Sequence, residues 1–60
     1  MGVTVERAYR VAFLAREAAT KASERAWELD MALRELRMLP EDAAAWARLE
    51  KAVEEAEGWL

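Results

Sequence analysis

The 60-residue chain has no cysteine and no histidine, one proline and two glycines. Without cysteine there can be no disulfide and no thiolate metal site. Without histidine a transition-metal site would rest on carboxylates alone, and the Ser-His and Cys-His nucleophile pairs are unavailable. The two glycines, Gly2 and Gly58, lie too far apart for a phosphate-binding loop. Glu24–Glu28 and Glu50–Glu54 are i, i+4 carboxylate pairs, but a di-iron site of the ferritin type also needs Glu-x-x-His motifs. They read as solvated helix faces. No cofactor and no metal is expected, and no enzymatic activity.

Long hydrophobic runs are missing too. No stretch approaches the roughly 18 apolar residues of a membrane span. The opening MGVTVERAYR carries charge where the apolar core of a signal peptide should begin. Glu6 stands where a myristoylation motif after Gly2 needs Ser or Thr. The expectation is a cytoplasmic protein that forms a single domain over residues 1–60.

The residues present are those of helices. Hydrophobic residues make up 55% of the chain, much of that alanine, and charged residues 35%. Alanine, glutamate, arginine and leucine at helical spacing indicate long helices rather than disorder. A chain below about 70–80 residues seldom builds a sufficient core alone without a disulfide or a metal. Regular helix packing and oligomerisation are the remaining means.

Only RMLPED at 37–42 and Gly58 interrupt the helical pattern. Pro40 suits the first turn of a helix, with Glu41 and Asp42 placing negative charge at its positive end. A short second helix is predicted over about 40–57, with Gly58 as a left-handed cap. Leu39, before the proline, is biased away from helix, which ends the first helix near Met38. Thr4 is a candidate N-cap, and Val3 can staple onto Ala8. The first helix is therefore predicted over about 4–38, roughly 50 Å long.

Within it, Val5, Ala8, Ala12, Ala15, Ala19, Ala22, Ala26, Leu29, Leu33 and Leu36 recur at alternating spacings of three and four. This is a coiled-coil seam, and its members from Ala8 to Ala26 are all alanine. Small seam residues let helix axes approach closely. The second helix carries Trp46, Leu49, Val53, Ala56 and Leu60 at the same spacing, flanked by Ala45 and Ala52. Folded back, it matches Leu36, Leu33, Leu29 and Ala26 but is too short to cover the front of the first helix.

The predicted fold is thus all-α, an antiparallel helical hairpin that dimerises into a four-helix bundle. Two long helices would cross near Ala15, Ala19 and Ala22. The predicted self-association interface comprises Val5, Tyr9, Ala12, Phe13, Ala15, Ala19, Ala22 and Trp27. A tetramer is a variation on this scheme. A competing architecture breaks the first helix near Thr20–Ser23, with Ser23 as a new cap, and gives three helices in a compact monomer. The seam stays in register on both sides of that point, which favours continuity.

The implied function is a self-associating adaptor or regulatory module that acts through protein contacts. Trp27, Met31 and Met38 are candidate anchors for a protein partner. The alternative is a dimeric nucleic-acid-binding regulator that uses Arg7, Arg10, Arg16, Lys21 and Arg25. Residues 1–25 carry a net charge of +2 and residues 26–60 a net of −5. The overall charge of −3 and the interruptions at Glu17 and Glu24 weigh against a phosphate-binding stripe.

Overall fold

The structure is a computed structural model that describes residues 3–18 and 22–60. These residues form three α-helices: α1 (Val5–Glu17), α2 (Ala22–Met38) and α3 (Ala43–Glu57), with no strand among them. All three helices pack on one another.

Thr4 caps α1 as its position predicts. Its backbone is extended and its hydroxyl accepts from the Arg7 N–H at 3.1 Å. Val3 and Ala8 are both buried in the same core cluster, as a staple across the cap requires.

The expected continuous helix over 4–38 does not form. Ala18 leaves the helical region with φ −76° and ψ 135°, and α2 begins as a separate helix at Ala22. The competing architecture, three helices with a break near Thr20–Ser23, matches the helix order, but Ser23 lies inside α2 rather than capping it, and Thr20 is outside the described residues. The physical reason lies in what the break buries. Interrupting a helix forfeits about four intrahelical bonds, each worth about 1 kcal/mol net. In return Val3, Ala8, Val11, Ala12 and Ala15 all become buried within the chain. Each valine of that set contributes about 1.5–3 kcal/mol, and the same contact removes water from the facing surfaces of α2 and α3.

The seam survives this folding because register does not require continuity. Ala15 and Ala26, both seam residues, form a small buried cluster with Ala18 packed beside it. Ala15, within the alanine-rich stretch, packs on Ala26 of the chain's own α2; Ala19 and the Ala22 side chain are outside the described residues. Val11, which lies beside the seam in sequence, is also a core residue at 3% exposure.

The α2–α3 pairing follows the predicted stripe at Leu49, Val53 and Ala56, whereas its end members Trp46 and Leu60 stay exposed. Leu29, Leu33 and Leu36 share a cluster with Ala45, Leu49, Ala52, Val53 and Ala56. Arg25 at the start of α2 lies 3.9 Å from Glu55 near the end of α3. Glu35 near the end of α2 pairs with Arg48 in the first half of α3. The two helices are therefore antiparallel.

The connection differs from expectation in one detail. Pro40 does not open α3; it occupies a turn in which the Asp42 N–H donates to the Leu39 carbonyl at 3.1 Å. Proline's fixed φ suits the second position of such a turn. Asp42 becomes the cap, its carboxylate accepting from the Ala44 N–H at 3.0 Å. The Trp46 indole N–H donates to the Pro40 carbonyl at 3.0 Å and ties the turn to the helix it precedes.

At the other end α3 stops at Glu57 as predicted, but Gly58 is not a left-handed cap. Its φ is −64° and its ψ −19°, within the right-handed region. The Gly58 N–H donates to the Glu54 carbonyl at 3.1 Å, so the residue continues the last turn rather than reversing it.

Candidate interaction surface

Folding α1 back divides the predicted self-association residues into two sets. Ala12 and Ala15 are buried inside the single chain, at 2% and 0% exposure, so they offer no surface. Ala19 and the Ala22 side chain lie outside the described residues. Val5, Tyr9, Phe13 and Trp27 remain exposed, Phe13 at 61% and Trp27 at 67%.

Val5 and Tyr9 form part of a hollow of about 240 Å³ with Leu33, Leu36, Arg37, Pro40 and Trp46. The Arg37 guanidinium donates to the Tyr9 hydroxyl at 2.8 Å across this hollow. These residues hold the start of α1 against the α2–α3 turn. They are partly occupied in packing the chain itself.

The outer surface of α2 is different. Trp27, Met31 and Met38 recur at spacings of four and seven, which puts them on one helix face. All three are exposed, Met38 at 78%. The core residues of α2, Ala26, Leu29, Leu33 and Leu36, occupy other positions of the same helix. Met31 and Met38 border a second hollow with Arg34, Glu35 and Leu39.

Next to that face a groove of about 660 Å³ runs between α2 and α3. Ala32 and Ala52, both nearly buried, line it, and Trp27 and Met31 stand along the α2 side. No α1 residue contributes to it. The sequence spacing places Ala52 only as a residue flanking the stripe of the second helix. That one small residue from each helix would meet as a groove depends on the α2–α3 register.

Charged side chains cross the groove in pairs. Arg48 makes a two-point contact with Glu35, Nε to Oε1 at 2.6 Å and Nη2 to Oε2 at 2.9 Å. The hydrogen bond from Arg48 and then the charge of Glu35 raise the Arg48 pKa further above its already high value. Arg25 bonds Glu28 on its own helix at 3.0 Å. Such exposed pairs stabilise little on their own, in the range of about 0–1 kcal/mol.

Most of the basic residues of the nucleic-acid alternative are similarly engaged. Arg7 donates through Nε to Glu57 at 2.9 Å and through Nη2 to the other carboxylate oxygen. That hydrogen bond holds the Glu57 carboxyl below its ordinary range. Arg16 Nη2 reaches both oxygens of Asp30, at 2.7 and 2.9 Å. Arg25 faces Glu28 and Glu55. Arg10 is exposed, and Lys21 lies outside the described residues.

Among the described residues no three His, Cys, Asp or Glu side chains gather as a metal site. Among the same residues no helix is long and apolar enough to cross a membrane. No protein-family model, curated protein or solved structure matches this chain.

Proposed function

We propose that this chain is a non-enzymatic helical interaction module, a small cytoplasmic adaptor or regulator that acts through protein contacts and self-association. The observation that carries this reading is the exposed row Trp27, Met31 and Met38 on the outer face of α2. A chain with only five aromatic residues that leaves a tryptophan two-thirds exposed beside two methionines forgoes stability it could otherwise gain. Tryptophan is enriched at the centres of interfaces, and methionine adapts to varied partner shapes. Any dimer would use such exposed residues, since Ala12 and Ala15 are enclosed.

The ion pairs of Arg7, Arg16 and Arg25 weigh against the nucleic-acid alternative. Their guanidinium groups already meet carboxylates, and contact with phosphate would have to displace them.

Site-specific photocrosslinking in the producing cells tests the proposal. A photoreactive amino acid replacing Met38 is expected to give covalent adducts with protein, whereas the same group replacing Glu41 gives few. Adducts with nucleic acid, or no adduct above the Glu41 control, would overturn it.

A further inference from the structure

We infer that the outer face of α2 takes an amphipathic helix of a different protein, one that carries a carboxylate side chain within its apolar stripe. The inference rests on the interaction-module reading and adds the form and the charge of the partner. Both follow once Arg34 is placed in the exposed row.

Trp27, Met31, Arg34 and Met38 recur at spacings of four, three and four. At the helical angle per residue they lie opposite the buried Leu29, Leu33 and Leu36, so α2 carries a second seam on its outer side. All four are exposed, on a helix of 17 residues that is roughly 25 Å long. The backbone N–H and C=O groups of that helix are used within its own turns, so the face offers side chains only. An extended segment, which binds through main-chain hydrogen bonds, has nothing to pair with there. Alternating steps of three and four match the side chains of a second helix.

Arg34 stands in the middle of this seam with its charge unmatched. The carboxylates nearest to it along the helix are Asp30, one turn before, and Glu35, which lines the same hollow of about 340 Å³. Both oxygens of Asp30 accept from Arg16, at 2.7 and 2.9 Å. Both oxygens of Glu35 accept from Arg48, at 2.6 and 2.9 Å. Among the described residues Arg34 makes no ion pair. The other walls of the hollow are Met31, Met38 and Leu39, all apolar. A helix laid on this seam removes water from the guanidinium, and a charge buried without a partner is costly. A carboxylate at the facing position of the incoming stripe supplies that partner, and the two groups match as a two-point pair.

A second copy does not bring the carboxylate to this face. Laid parallel and in register, its seam sets Arg34 against Arg34. Laid antiparallel with Met31 facing Met31, it sets Trp27 near Arg34, and the flanking Glu28 is already bonded to Arg25 at 3.0 Å. A basic helix is repelled, and a wholly apolar one leaves the guanidinium unpaired, so the same charge that invites one class of helix turns the others away.

Three synthetic helical peptides test this. They share a leucine stripe and differ only at one position in the middle of it, which is Glu, Gln or Lys. Titrated into the ¹⁵N-labelled chain, the Glu peptide is expected to shift amides of α2 more than those of α1 and α3. It is expected to bind at least about tenfold more tightly than the Lys peptide, with the Gln peptide between them. Arg34→Glu should reverse that order. Arg34→Met should weaken the Glu peptide, whose carboxylate is then left unpaired. Arg34 is exposed, so both variants should keep the fold, which circular dichroism reads in parallel.

Equal binding of the Glu and Lys peptides, tighter binding of the Glu peptide to Arg34→Met, or no binding of it up to about 1 mM would overturn the inference. In that event, photocrosslinks from position 38 to another protein would leave the interaction-module reading standing. Loss of the crosslinks as well would sink both.

Discussion

The two places where α2 meets a neighbour are built from different materials. Against α3 it presents Leu29, Leu33 and Leu36 to Leu49 and Val53. Against the end of α1 it presents Ala26 to Ala15. Leucine contacts remove much apolar area from water and provide most of the driving force. Alanine contacts remove little area but allow the backbones to come close. A small domain has few leucines to distribute, and this one concentrates them where all three helices meet and closes the far end of α1 with alanines.

The sharpest way to break this contrast is at Leu49, which is fully buried. Leu49→Ala is expected to cost about 2–5 kcal/mol. A domain of this size has about 3–9 kcal/mol in total, so the variant should be largely unfolded near 37 °C by circular dichroism. A loss below about 1 kcal/mol would mean that the leucine junction is not the main store of stability.

Ala15→Leu probes the other junction and also distinguishes two architectures by concentration dependence. Where α1 packs on α2, a leucine at this enclosed position overpacks and costs about 1–3 kcal/mol in chemical denaturation. In a dimer of continuous helices crossing at Ala15 the same change would weaken association, so its effect would depend on protein concentration, whereas a loss within one chain does not.

Gly58→Ala is expected to stabilise by about 0.4–1 kcal/mol, because the right-handed backbone there accepts alanine and the unfolded chain loses freedom. A Cβ at this position would sit 3.4 Å from the Glu55 carbonyl oxygen, an ordinary contact. A measured loss of stability would restore the left-handed cap. This tests the free end of the leucine junction without touching its core.

The smallest effect concerns Arg7 and Glu57, which fasten the start of α1 to the end of α3. The ordinary value for Glu57 is 4.5, and its folded value is lower. A carboxyl whose folded pKa is depressed contributes stability that is complete above its unfolded pKa and is lost as pH falls through the folded one. The difference between wild type and Arg7→Gln should therefore be constant at neutral pH, shrink once pH drops below about 4.5, and vanish in stronger acid. Arg7 is half exposed and Glu57 about one third, so added salt should reduce the difference as well. Thermal melts across pH at two salt concentrations would show whether it behaves so.

The sequence carries much of this fold in its local signals. Thr4 before an apolar-periodic run marks the first cap, and the Leu29–Leu33–Leu36 and Leu49–Val53–Ala56 spacings mark the facing stripes. The break after Glu17 has only a weak marker, the Thr20–Ser23 pair on which the three-helix alternative rests. Ala18, Ala19 and Ala22 are good helix formers, and the seam passes through them in step. What ends α1 is the gain from folding it back, a tertiary effect that propensity does not encode. Pro40 is legible as a breaker, but whether it opens a helix or sits in the preceding turn depends on which carboxylate finds the orphan N–H groups, and Asp42 does. Gly58 is permissive of either hand, so its identity alone could not choose one. Of the candidate surface, Trp27, Met31 and Met38 were readable from their position outside the seam. The Ala32–Ala52 depression was not, since it exists only once two helices lie side by side.

The indole of Trp46 clasping the Pro40 carbonyl has a consequence for synthesis. It closes the connection between two helices that are neighbours in the chain and hold most of the leucines, so that pair can assemble as soon as both have left the ribosome. The first helix emerges earliest yet cannot dock until α2 and α3, on which it rests, have been made. For that interval Ala8, Val11, Ala12 and Ala15 stand bare in the crowded cell beside Tyr9, Phe13 and Leu14, which docking leaves exposed in any case.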